Sequence, residues 1–154
     1  EEKTAASYIP LYWGGLMVGR FAGSAILQKV SAQKVLLIAA LASFILVGVT
    51  VLTNGYISMW SMLAVGLFNS IMWSNIFAMS IDGLGEYTTK AAGILVMAPV
   101  GGAIFPLLQG MLADIPAIGL HLSYILPLFC YLFIIYYAVS GYKSRPGEFE
   151  KVAG

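Results

Sequence analysis

Forty-seven consecutive residues, those between Lys34 and Asp82, carry no formal charge. Another 23 between Lys90 and Asp114, and 28 between Asp114 and Lys143, also lack Asp, Glu, Lys and Arg, with His121 the only interruption. A bilayer core about 30 Å thick is crossed by about 20 apolar helical residues, so this spacing reads as membrane spans punctuated by charged loops. The longest stretch then holds two crossings and a reversal, and Asn54-Gly55 supplies the turn pair. Five helices follow, over about 5–28, 35–53, 57–81, 91–113 and 122–142, with a cytoplasmic tail over 143–154. Runs such as Val35-Leu36-Leu37-Ile38-Ala39 do not alternate in polarity, which argues against a barrel. The fold class expected is therefore all-α, a polytopic membrane helix bundle.

Composition narrows the function classes. Hydrophobic residues make up 60% of the 154 positions, charged residues 10%, and mean hydropathy is +0.88. Soluble domains carry roughly 45–50% apolar and ~25% charged residues, and disordered chains are poorer still in apolar residues. Eight basic residues nearly balanced by seven acidic ones make no stripe for nucleic acid. A single Cys130 and a single His121 provide neither a disulfide framework nor a multi-ligand metal site. No Gly-x-Ser-x-Gly, His-Glu-x-x-His or Cys-x-x-Cys pattern occurs, and Asp82-Gly83-Leu84-Gly85-Glu86 lacks the ending of a phosphate loop. Neither an enzyme nor a cofactor is expected.

Lys29, Lys34, Lys90, Lys143, Arg145 and Lys151 fall on one side of the five-helix arrangement, and only Lys3 on the other. The positive-inside rule puts the amino end outside and the carboxyl end in the cytoplasm. Trp60, Tyr8, Tyr56 and Tyr142 lie near the expected interfaces, as an aromatic belt does. The absence of an initiator Met and of a targeting segment reads as a fragment that packs against a missing part.

Arg20 is the most unusual residue. It precedes Lys29 by nine positions, roughly 13–14 Å of helix, which sets it near the midplane. An Arg there costs about 2.5–3.5 kcal/mol on insertion scales and faces a bundle interior or a wet cavity. It reads as a donor lining a substrate or proton path; a structural ion pair and a snorkelling side chain are the alternatives. Gly15, Gly19 and Gly23 form a stripe one position away, suited to close helix packing. On the third helix, Gly66, Asn69, Ser70, Trp73 and Phe77 share a face. An amide, a hydroxyl and an indole there suit a hydrated pocket for a hydroxyl-rich ligand such as a sugar, or else interhelical hydrogen bonds. Asn75 points elsewhere, toward packing. The fourth helix carries Pro99, Gly101, Gly102 and Pro106 mid-span, the signature of a kinked, gating helix. Gln109, two turns past Gly102, is a pocket or packing amide.

The run Gly14-Gly15-Leu16-Met17-Val18-Gly19-Arg20-Phe21-Ala22-Gly23 resembles a helix of the fucose:proton symporter family of the major facilitator superfamily, whose core is Gly-Arg-Phe-x-Gly. Asn69-Ser70-Ile71-Met72-Trp73-Ser74-Asn75-Ile76-Phe77 resembles the family's aromatic-Pro-Thr-Ile-Phe segment. Gly93-Ile94-Leu95-Val96-Met97 through Gly101-Gly102-Ala103-Ile104 is similar to its next helix, and Gln109-Gly110 to its glucose/galactose branch. The resemblance implies helices eight to twelve of a twelve-helix fold, the second half of a transporter in the bacterial inner membrane. It implies a monosaccharide and protons as the transported partners, with Arg20 and Trp73 beside the sugar cavity and Gly101 and Gly102 lining it. Ser74 and Asn75 replace the usual Pro-Thr, and Trp73 replaces a Tyr of fucose-type members. The proton-carrying carboxylates belong to the half that is missing. A facilitator for a nucleoside, drug or organic acid is the rival, and a structural membrane subunit that transports nothing is another.

Overall fold

The computed structural model describes residues 2–141, with side chains from Pro10 onward. The expected tail over 143–154, Tyr142 and the side chains of Lys3 and Tyr8 lie outside the described residues.

Helix α1 (Glu2–Leu27) descends to a short turn; α2 (Ala32–Leu52) returns; α3 (Tyr56–Ile81) descends again, parallel to α1. The reversal between α2 and α3 falls at Thr53-Asn54-Gly55. Thr53 adopts extended backbone and Gly55 has φ +70°, a conformation that costs a side chain-bearing residue and suits glycine. The fourth crossing is divided into α4 (Thr88–Val96), a 3-10 turn over Ala98–Val100, and α5 (Gly101–Ala113). Sequence analysis expects one helix over 91–113; the division follows from Pro99, which has no N–H to continue the hydrogen-bond ladder. Pro106 sits inside α5 without ending it. The last crossing begins at Gly119, whose φ of +64° turns the chain. It continues as α6 (Gly119–Ser123), α7 (Ile125–Tyr136) and a π-helical turn over Tyr137–Gly141. Four of these stretches are long and apolar enough to cross a membrane: Ala32–Leu52, Tyr56–Ile81, Gly85–Ala113 and Gly119–Gly141. Helix α1, which bears Arg20, completes the all-helical set.

The core lies between α2, α3 and α7. Leu36, Ala40, Val47 and Ala138 are wholly buried there, with Val65, Met72 and Tyr131 close behind. Lipid tails are as apolar as Leu, so hydrophobicity alone does not hold such helices together; close packing and hydrogen bonds must. Both are present. At the α2–α3 turn the Thr50 hydroxyl lies 3.4 Å from the Ser58 carbonyl, and the Ser58 hydroxyl donates to the Thr50 carbonyl at 3.2 Å. At mid-bundle the Tyr131 hydroxyl donates to Asn69 Oδ1 at 2.8 Å. At the far end Gln33 Nε2 donates to the Ala138 carbonyl in the π turn, and the Ser80 and Tyr137 hydroxyls pair at 2.7 Å.

Candidate functional site

The glycine stripe of α1 positions everything that follows. A Cβ at Gly19 would collide with the Leu67 carbonyl and the Ser70 hydroxyl; one at Gly23 would lie 2.6 Å from the Ile71 side chain. Gly15 approaches the backbone of Leu63 and Leu67. Helix α1 therefore lies almost backbone to backbone on α3, in parallel register. Arg20, one residue past Gly19, stands level with Ser70 and Ile71, and Trp73 is about 3–5 Å further along at 1.5 Å per residue.

Helical rotation then decides the side. Arg20 is about 100° clockwise of the contact line on α1, and Trp73, six residues past Leu67, is about 120° anticlockwise of the line on α3. Opposite rotations on two parallel helices lead to the same side. Both residues thus leave their helices on one side of the α1–α3 layer; the groove beside Arg20 is walled by α1 residues, and Trp73 is not one of its walls. Arg20 is exposed, lines a groove of about 420 Å³ with Trp13, Leu16, Met17 and Phe21, and has no hydrogen-bond or ion-pair partner among the described residues. Trp73 is 44% exposed and tilts against Phe77, with ring centroids 6.2 Å apart.

The polar face expected on α3 is divided among neighbours. Gly66 receives the Tyr12 ring, at 2.6 Å from where a Cβ would stand, and Ser70 is buried under Gly19, its hydroxyl spent on the Leu67 carbonyl. Asn69 turns its Oδ1 to Tyr131 of α7 and keeps an Nδ2 with no bond among the described residues. Trp73 is left partly exposed. Asn75 is buried, and its Nδ2 finds no partner among the described residues, so the packing hydrogen bond expected of that nitrogen is not made here. Gln109, Gly101 and Gly102 belong to α5, which packs on α6 rather than on α1 or α3. The structure does not bring them to Trp73.

A larger cavity, about 630 Å³, lies on the same side of the layer, nearer the α2–α3 turn. Tyr12, Met59, Met62, Leu120, His121 and Tyr124 are among its walls. His121 Nδ1 lies 3.2 Å from the Thr50 carbonyl, which can only accept, so Nδ1 carries the proton. Sequence reasoning passed over this cavity. Its walls come from four helices, and the only local sign was a lone histidine in an apolar segment.

No protein-family profile matches the chain. Over 144 residues it is 50% identical to the glucose/galactose transporter of Brucella abortus biovar 1, covering 94% of this chain and 34% of that protein. It is 32% identical to the L-fucose-proton symporter of Haemophilus influenzae, covering 80% of this chain and 30% of the symporter. The fold superposes on FucP, a major facilitator superfamily transporter solved in the outward conformation. The TM-score is 0.86 at 23% identity, over 94% of this chain and 34% of that one. The chain is thus similar over most of its own length to glucose/galactose transporters and L-fucose-proton symporters, and its fold is that of part of a major facilitator superfamily transporter. It spans about a third of the length of the relatives it matches, in their carboxyl-terminal part. Those relatives are bacterial membrane transporters and not enzymes.

Proposed function

We propose that this chain is the carboxyl-terminal part of a secondary transporter that imports a monosaccharide, glucose or galactose before fucose, by proton symport across the bacterial inner membrane. The proposal rests on the helical rotation that turns Arg20 and Trp73 to one side of the α1–α3 layer, in a chain half identical to a glucose/galactose transporter. The indole covers the apolar face of the sugar ring, and Arg20 and the free Nδ2 of Asn69 donate to its hydroxyls. The amino-terminal part of the same protein closes the site from the opposite side, and the two parts rock about it in alternating access. The break at Pro99, with Gly101, Gly102 and Pro106 beyond it, is where the fourth crossing bends during that motion, bringing Gln109 to the sugar. The amino end of the segment faces outward, as its charges direct.

Trp73→Ala in the full-length protein tests this. The KM for galactose uptake rises about tenfold, the loss expected of a stacked ring at about 0.5–1.5 kcal/mol plus its buried area, at unchanged membrane abundance. Uptake kinetics identical to the parent's count against the site. Arg20, a cation without an acidic partner among the described residues, favours one second reading, an organic-acid substrate. Competition of uptake by carboxylates, and none by sugars, selects it.

A further inference from the structure

We propose that the cavity walled by Tyr12, His121 and Tyr124 is a second binding site, separate from the Arg20–Trp73 surface, for a neutral ring that bears hydroxyls on one edge and an apolar substituent on the other. Aryl glycosides are of this class. The cavity measures about 630 Å³, within the ~300–1,000 Å³ of small-molecule sites, and like them it is mostly apolar with a few polar groups. No Lys, Arg, Asp or Glu is among its walls, so the ligand carries no charge. Met59, Met62 and Leu120 form the apolar side, and methionine adapts to irregular shapes.

The polar edge is set by His121. With Nδ1 donating to the Thr50 carbonyl, Nε2 is left without a partner among the described residues, and it accepts when the ring carries a single proton. The Ser58 hydroxyl, which donates to the same carbonyl across the α2–α3 turn, holds it in place. The hydroxyls of Tyr12 and Tyr124 likewise have no partner among the described residues. A ligand hydroxyl donating to Nε2 and accepting from a phenol completes these groups. The Tyr12 ring is seated on Gly66, where a Cβ would lie 2.6 Å from it. Arg20, Asn69 and Trp73 are not among the walls of the cavity, so occupancy there does not require a sugar at Trp73.

Calorimetric titration of the full-length transporter in nanodiscs with phenyl β-D-galactopyranoside tests the assignment. Met62→Trp, which fills the cavity, removes binding, and Leu120→Trp does the same from the opposite wall. His121→Phe weakens binding about fivefold, the loss of one hydrogen bond. Trp73→Ala changes it less than about twofold, because additivity holds for separate sites. Binding abolished by Trp73→Ala but untouched by both filling variants assigns the glycoside to the Arg20–Trp73 surface and overturns the proposal. So does a full-length protein that gives no heat with the glycoside. Phenyl galactoside binding that survives in a protein inactive toward galactose uptake overturns the transport reading and leaves the cavity site standing.

Discussion

Two apolar regions of the chain behave in opposite ways. In α1–α3, Gly19, Gly23 and Gly66 are each filled by a neighbour: the Leu67 carbonyl and Ser70 hydroxyl, the Ile71 side chain, and the Tyr12 ring. In the fourth crossing, Gly93, Gly102 and Gly110 have nothing among the described residues within 4 Å of the place a Cβ would take, and neither α4 nor α5 buries a residue against them. Ile94, Val96, Met97 and Leu107 are all more than 60% exposed. Hydropathy treats both regions alike because it scores transfer out of water, whereas helix association in a membrane depends on how closely backbones approach. The packed region is a body clamped at the α2–α3 turn, the middle and the far end by side-chain hydrogen bonds. The other is a broken helix joined to it mainly through α6.

Substitutions can break or sharpen that contrast. Gly19→Ala is expected to have the largest effect, because the collision is with the Leu67 backbone, which cannot swing aside. Unfolding of the full-length protein in detergent should register a loss of about 2 kcal/mol, within the ~1–3 kcal/mol of overpacked sites. Tyr131→Phe comes next. It removes the bond to Asn69 Oδ1 and should cost about 0.6–1.7 kcal/mol, the span measured for interhelical bonds in membranes. Gly110→Ala should be smallest, from neutral to a gain of about 0.5–1 kcal/mol, since alanine stiffens a helix where nothing stands in its way. A loss at Gly110 as large as that at Gly19 would mean that another part of the polypeptide lies on that face, and the contrast would then belong to this segment alone.

The candidate site was legible in parts. Arg20 stood out because a cation at mid-span is costly, and Trp73 because an indole beside amides is an uncommon face to give to lipid. The face on α3 was drawn too wide. Asn69, Ser70 and Trp73 fall within about 100° of one another by helical rotation, but two different neighbours divide that arc. Gly19 takes Ser70, Tyr131 takes Asn69, and only Trp73 is left open. The stripe of Gly15, Gly19 and Gly23 announced a close contact without naming the partner. His121 drew no attention, because its meaning comes from the Thr50 carbonyl, 71 positions away.

What the amino-acid order determined alone was the all-helical membrane architecture and the place of its turns. Exclusion of charge from lipid and the backbone habits of Gly and Pro act over a few residues, so they can be read one segment at a time. What the tertiary structure decided was the register of α1 on α3 and of α7 against both. That register sets which polar groups are consumed in packing and which stay free for a ligand. It depends on the fit of surfaces far apart in sequence, and no local pattern encodes it.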